Sequence, residues 1–595
     1  MTRARRALVC ALALACAAGL AACTADTSPH PGPTAPSASG TTSPVPEPQS
    51  RAAGLRLPDA PTTVLPAGGP ALAAAASAAL FDSAPVVVLA ADGDVAAQVR
   101  AASVAVGLGA PLLLAGGDEP DAWSHETERL GAVAAVVVGA SSLLDEARAA
   151  LPEIDVVTGA PAELAAAAGA TPAERVEVAP GGEVAAVAAL DRDRPALLVV
   201  GPSTAPSSSA PSSAAPSSAA PSSAAPSSAP SSSAPSSAPT LPRLARPAPL
   251  AHAALVTDGT PGTLAAVATA RAAGLPTAVV SGADPRASAA DVRALAAAAS
   301  PDAALLTAGP AFAAAPDPRD LDWRLRTAAT GVELPGGGQL VFPGHRLVAL
   351  YGTPGDPRLG VLGEQDAAAS VARAKDLAAT YQALTSDTVV PAFEIIATIA
   401  DRDPGPDGNY SRERSVDELR PWVDAAAQAG LDVVLDLQPG RTDFLTQAQQ
   451  YAELLERPNV GLALDPEWRL APDQVHLRQI GSVDASEVNA VSAWLAGLTR
   501  EHRLPQKVLV LHQFAERMIR DRATLDLSHP ELATVLHVDG QGSQPAKAGT
   551  WAALRRDAPA GLWWGWKNFV DEDVPMLTPE QTLQVSPVPD LVTYQ

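Results

Sequence analysis

The stretch Val460–Trp468, VGLALDPEW, runs through small and apolar residues and ends in two carboxylic acids, one residue apart, beside an indole. Two acids so placed can divide acid–base labour: one holds a proton for a leaving group while the other, ionised, steadies developing positive charge. If the segment is a strand, Gly461, Ala463, Asp465 and Glu467 share one face and Leu462 and Leu464 the other. The leucines then pack beneath a helical layer, and the acids emerge at the strand's C-terminal end. Trp468 adds a flat apolar face of the kind that stacks on a sugar ring. The structural alternative is that Asp465 and Glu467 cap the following segment or pair with Arg469.

Other segments also deliver polar groups near their C-terminal ends. Glu394 lies in VVPAFEIIATIA, Asp436 and Gln438 end LDVVLDLQ, His512 and Gln513 end KVLVLHQF, His537 and Asp539 end ATVLHVDG, and Trp564, Trp566 and Lys567 end GLWWGWKNF. A mouth of acids, amides and indoles suits a carbohydrate: carboxylates handle protons and oxocarbenium charge, amides bind hydroxyls, and indoles stack on sugar faces. Glu467 and Asp465 lead the catalytic candidates. Asp436, Asp539 and Glu394 are candidates for a second carboxylate about 5 to 10 Å away across the sugar. Trp468, Gln438, His512, Gln513, Trp564, Trp566 and Lys567 are the candidates for substrate binding. His512, His537 and Asp539 offer an alternative metal set, but HxH and HExxH spacings are absent, and the expectation is no metal and no cofactor. Serine nucleophile elbows, phosphate-binding glycine loops and CxxC pairs are absent too.

With RLVALYG (Arg346–Gly352) these runs make seven strand candidates, mostly separated by amphipathic stretches at 366–386, 416–430, 443–456 and 486–502. Such alternation predicts a (β/α)8-like barrel over residues 322–595, whose C-terminal face gathers the strand ends. An eighth strand is not apparent, and a doubly wound open sheet is the alternative. Composition shifts in the same region, since seven of the nine tryptophans lie after residue 420.

Leu464-Asp-Pro-Glu-Trp468 resembles the Leu-Asp-x-Glu of family 25 lysozymes and, more loosely, the Asp-x-Glu that ends the chitinase motif of glycoside hydrolase family 18. The resemblance implies Glu467 as general acid and Asp465 as a group that stabilises positive charge or orients a substrate amide. Tyr351-Gly352 stands where the lysozymes carry an Asp, and Val460 and Ala463 stand where the chitinase motif has further acids.

Residues 59–321 alternate short β-branched runs with alanine-rich helical segments: VVVLA, APLLLAG, VAAVVVGAS, ALLVVG, HAALVTDG, PTAVVSG and AALLTAG. Strands that are apolar on both faces and separated by helices predict a parallel three-layer α/β module. VVVLAADGD, GAPLLLAGG and VVVGASS recur in order as AALVTDGTP, GLPTAVVSG and ALLTAGPAF. This triplet resembles cell wall-binding repeat 2 of Gram-positive surface proteins, although Asp94-Val-Ala-Ala-Gln-Val stands where that family carries Asn-Phe-Ala-Asp-Ala-Leu. The resemblance implies noncovalent attachment to an anionic wall polymer; a generic Rossmann-like domain without wall affinity is the alternative. A low-complexity Pro/Ser/Ala insert at 202–239 reads as an extended loop expansion.

The first 22 residues read as a lipoprotein signal peptide: basic MTRARR, an apolar run, then Leu20-Ala-Ala-Cys23, which resembles a bacterial lipobox. Cys10 and Cys16 would leave with that peptide. Cys23 would then be the mature chain's lone thiol, without a disulfide partner and placed for acylation. Residues 23–58, rich in Ser, Thr, Pro and Gly, read as a tether. A net charge of −23 gives no basic excess for nucleic acid. Alanine richness and sparse lysine fit the high-GC coding of an actinobacterium. The expectation is a secreted lipoprotein on the outer face of the cell membrane, whose partners are wall glycan or anionic wall polymer and, through the lipid, the membrane. A noncatalytic glycan-binding scaffold is the competing class.

Overall fold

A computed structural model describes residues 50–159, 174–194, 196–201, 241–315 and 317–595. The expected signal peptide, Cys23, most of the tether and the 202–239 insert lie outside the described residues.

The main strands before residue 310 are, in chain order, β1 (Thr62–Val64), β2 (Val86–Ala91), β3 (Leu112–Ala115), β4 (Ala134–Val137), β5 (Asp155–Val157), β6 (Arg175–Val178), β7 (Leu197–Val200), β8 (Ala253–Thr257), β9 (Thr277–Val279) and β10 (Ala304–Ala308), with short pairings besides. They form parallel sheets of order β3-β2-β4-β5 and β9-β8-β10-β1, with β6 and β7 as a separate pair. The sequence repeat is thus a repeat of topology, its first strand central and its second and third on either side. The parallel strands of the module thus divide between two four-stranded sheets and the β6–β7 pair. Helices α1 (Gly69–Leu80), α2 (Val95–Leu108) and α3 (Leu264–Ala272) are apolar on nearly all sides and pack on one another within the core. Asp94 caps α2 through the Ala97 amide at 2.9 Å, and Gly109, at φ 66°, ends it in the left-handed conformation that glycine tolerates.

Both expected limits of this module shift. Arg51–Ala52 and Gly54–Leu55 already pair with Leu244–Ala245 and Phe81–Ser83, so the folded part begins inside the expected tether. Helix α4 (Pro318–Ala328) spans the expected boundary at 321/322 and buries Leu321 and Leu325 against Val292 and Leu295. The change in tryptophan content therefore does not mark where the first core ends.

The predicted barrel is present and closed. Strands β11 (His345–Gly352), β12 (Thr388–Ala400), β13 (Asp432–Leu437), β14 (Val460–Leu464), β15 (Lys507–Gln513), β16 (Leu532–Val538), β17 (Trp563–Asn568) and β18 (Leu591–Tyr594) run parallel, each beside the next in sequence, and β18 closes on β11. The eighth strand, LVTY, is only four residues long and follows a proline-rich turn, which hides its period from a sequence reading. Helices α5 (Ala367–Gln382), α6 (Val416–Ala429), α7 (Phe444–Gln450) with α8 (Ala452–Leu455), α9 (Ala485–Glu501), α10 (Gln544–Arg555) and the four-residue α11 (Pro579–Thr582) fill most of the crossovers. Ser415 and Glu418 close a capping box on α6. Between β15 and β16 the described residues form short 3-10 turns at Glu516–Met518 and Arg522–Thr524 and, between them, a two-residue strand, Ile519–Arg520, that pairs with Val483–Asp484.

Side-chain alternation then sorts the strands. Leu435, Leu437, Leu462, Leu464, Leu509 and Leu511 face outward beneath the helices with Val423, Leu454 and Leu495. Leu347, Ala349, Ala392, Val434, Ala463, Val510, Val535 and Leu591 face inward and form a separate apolar plug at the N-terminal end. Gly461 is part of this fit: a Cβ there would come within 2.5 Å of Val508.

Candidate active site at the mouth of the barrel

Counting two residues onward from the plug, on the same inward face, gives Tyr351, Glu394, Asp436, Asp465, His512, His537, Lys567 and Thr593. One pleat therefore separates an apolar layer from an ionisable one. Among the calls made from sequence, Glu394, Asp436, Asp465, His512, Asp539, Lys567 and Gln438 all come together here.

His512 is the hub. Its Nε2 lies 2.7 Å from Glu394 Oε1 and its Nδ1 3.0 Å from Asp539 Oδ2, while Asp436 Oδ1 is 4.0 Å from Nε2. The Tyr351 hydroxyl donates to Asp436 Oδ2 at 2.8 Å and receives the Gln438 amide at 3.4 Å. Lys567 Nζ sits 3.5 Å above the Tyr351 ring. His537 packs edge-on to His512, and its Nε2 meets the Thr593 hydroxyl at 3.1 Å. Gly565 makes room for that ring, since a Cβ there would reach His537 at 2.4 Å.

Burial and mutual charge push the titratable groups apart. Asp465 is held well above the usual carboxylate range, by burial first and then by Glu467. Glu467 is pushed up to about 7, by burial and by Asp539, against the pull of Lys567 and His512. Asp436 rises to about 6 through burial, with His512 opposing. Burial would raise Asp539, but the hydrogen bond and charge of His512 outweigh it and lower the carboxyl. Burial would likewise lower His512, but Glu394, helped by its hydrogen bonds to Asp539 and Glu394, lifts it well above the ordinary imidazole range. His537 is held well below that range by burial and by the neighbouring positive charge of His512.

Above this layer opens a cavity of about 540 Å³ lined by Tyr351, Gln438, Asp465, Glu467, Trp468 and Asp539, with Lys567 also on its wall. Glu467 and Trp468 lie in a one-turn 3-10 segment, Pro466–Trp468, which begins as β14 ends. Asp465 makes no side-chain cap to that turn. Arg469 pairs with Glu487 at 3.0 Å, leaving Glu467 facing the cavity among the described residues without a cationic partner. Of the proposed second carboxylates, Asp539 reaches the cavity, while Glu394 and Asp436 lie fully buried in the layer beneath.

Three expected binding residues point elsewhere. Trp564 and Trp566 flank the inward Gly565, so alternation turns them outward onto Trp551 of α10, at 5.6 and 5.5 Å between ring centroids. Gln513 follows the inward His512 and faces out, donating to the carbonyls of Ala515 and Glu516. His512 itself lies below the cavity wall and meets it through Asp539, which lines the cavity. Tyr351, Thr593, Phe514 and Phe569 belong to the site and its surroundings without having been singled out. The parity of β11 could have identified Tyr351; Thr593 was hidden with its strand.

Glu394, His512 and His537 each present a ligand atom within 4.8 Å of the others, the arrangement among the described residues that best suits a metal ion. This differs from the set read in sequence, because Asp539 sits on the far nitrogen of His512.

No protein-family model and no curated protein matches this chain. Solved structures similar to it include Cwp6 from Clostridium difficile, with TM-score 0.30 and 14% identity, covering 58% of this chain and 64% of that one. Another is the xylanase and alpha-amylase inhibitor protein XAIP-II from Scadoxus multiflorus, with TM-score 0.26 and 10% identity, covering 42% of this chain and 92% of that one. The chain thus spans under two thirds of the Cwp6 chain.

Proposed function

We propose that this chain is a lipid-anchored envelope protein whose barrel acts on a wall or extracellular polysaccharide by glycosidase-type chemistry, with Glu467 as general acid and Asp539 as the opposing carboxylate. The observation that carries the reading is that both acids line one open cavity with Trp468 and Lys567, and that Glu467 is not tied to a base. Glu467 gives its proton to the glycosidic oxygen as the bond to the anomeric carbon breaks. Asp539 serves the positive carbon, by attack or through a water, and Asp465 supports Glu467 from below. Trp468 offers a face to a sugar ring, and Gln438 and Lys567 offer donors to its hydroxyls.

The envelope address is supported by the lipobox-like Leu20-Ala-Ala-Cys23 and by the repeat's resemblance to a wall-binding type. Cys23→Ala should release the chain from membranes into the medium. For the site, isolated walls incubated with the full chain should release reducing sugar, and Glu467→Gln should slow that release by about 100-fold or more. Saturable glycan binding without turnover, unchanged by Glu467→Gln, would show a noncatalytic scaffold instead.

A further inference from the structure

The barrel holds more buried negative charge than the glycosidase reading uses. Glu394 and Asp436 do not reach the cavity, yet both are fully buried. Glu394 Oε2, Asp436 Oδ1 and His537 Nδ1 have no hydrogen-bond partner. Unmatched polar atoms of this kind are costly away from water, and clustering of several calls for a missing partner. Carboxylate oxygens and an imidazole nitrogen together make a donor set that a metal cation satisfies.

We propose that Glu394, Asp436, His512 and His537 form a binding site for one divalent transition-metal cation of the zinc type, beneath the floor of the cavity. Glu394, His512 and His537 already present ligand atoms within 4.8 Å of one another. Ligands bound at about 2.0–2.2 Å in a tetrahedron lie roughly 3.4 Å apart, so small rotations complete the set. Two imidazoles with two carboxylates suit zinc or a neighbouring first-row metal better than calcium or magnesium, which prefer all-oxygen shells.

The surrounding contacts are those that orient metal ligands. Asp539 takes the Nδ1 side of His512 at 3.0 Å and turns Nε2 toward Glu394. Thr593 occupies Nε2 of His537 at 3.1 Å, which leaves Nδ1 for the ion. The Tyr351 hydroxyl fixes Asp436 Oδ2 at 2.8 Å and leaves Oδ1 free. Glu394 Oε1 at 2.7 Å and Asp436 Oδ1 at 4.0 Å from His512 Nε2 place two carboxylate oxygens beside the nitrogen that would face the ion. Because Glu394, His512 and His537 do not line the cavity, the ion would tune and brace the carboxylates above it without touching substrate.

The inference stands whether or not the cavity turns over a glycan, because its test reads metal content. The full chain is stripped with a chelator, incubated with zinc alone, passed through a desalting column and measured by elemental mass spectrometry, with circular dichroism as a check on folding. The expected result is about one zinc per chain, a melting temperature that rises with zinc, and at least a tenfold loss of retained zinc in both Glu394→Gln and His537→Gln. Trp564→Phe, outside the site, should retain zinc as the native chain does. Folded native protein that retains less than a tenth of an equivalent, or folded variants that retain as much as the native chain, would overturn it.

Discussion

The two ends of the barrel interior are made by the same eight strands under the same alternation, yet one pleat divides them chemically. Below it, Ala349, Val434, Ala463, Val510 and Leu591 interlock without polar atoms. Above it, Glu394, Asp436, Asp465, His512 and Asp539 share a space in which several polar atoms find no partner. Apolar burial at the lower end contributes about 1.5–3 kcal/mol for each large side chain, whereas buried charge at the upper end is costly wherever it is unpaired. The lower end secures closure, and the upper end uses that rigidity to hold acids in environments they would not choose in water. Even the lower end's own ionisable pair is structural: burial pulls Lys507 down to about 7 and Asp432 up to about 7, and Lys507 donates to the Arg457 and Val460 carbonyls at 2.8 and 2.9 Å.

The contrast breaks most visibly by exchanging one group at each end. Glu467→Gln should lower turnover by about 10²–10⁴-fold, the worth of a general acid, without lowering the urea midpoint. Lys507→Met should do the reverse, costing about 1–3 kcal/mol through two unmade hydrogen bonds while turnover per folded molecule holds. A Lys507→Met chain that is stable but inactive would erase the distinction. His512→Ala should cost about 3–5 kcal/mol in urea unfolding, because it strands buried carboxylates. Leu591→Ala, with a cavity cost of about 2–5 kcal/mol, should overlap it in size but leave the site's titration unmoved.

Acidity sharpens the comparison further. Glu467 faces Asp465, Asp539, Asp436, Lys567 and His512, and its carboxyl is pushed up to about 7. Turnover should therefore fall as pH rises through about 7 and the acid form is lost, a limb absent from residual Glu467→Gln activity. In stability the same group binds its proton more tightly folded than unfolded. Its contribution is complete below the ordinary glutamate range and disappears as pH rises through about 7. The smallest effect separates the tryptophans: Trp468→Ala should weaken oligosaccharide binding by about 2–10-fold, the worth of one stacking contact, whereas Trp564→Phe should leave it unchanged.

How far the chain could be read without coordinates follows from the same physics. Buried parallel strands such as VVVLAA and VGLAL announce themselves by continuous apolar runs, and strand-end acids follow by counting in twos. That count also places Tyr351, and it turns Trp564, Trp566 and Gln513 away from the mouth, where residue type alone had gathered them. It gives nothing for Thr593, because a four-residue strand carries too little periodicity to be seen. Nor does it reveal that Asp539 reaches the cavity while Glu394 and Asp436 stay beneath it. Depth along a barrel axis depends on stagger between strands, which no single segment encodes.

The central claim is that Glu467 faces the cavity as a protonated acid near neutrality. Carboxyl-edited titration of the full chain labelled with ¹³C-glutamate, assigned by difference from Glu467→Gln, tests it directly. A Glu467 midpoint near pH 7 is the predicted result, and a midpoint near 4.3, that of a glutamate in water, would contradict the account.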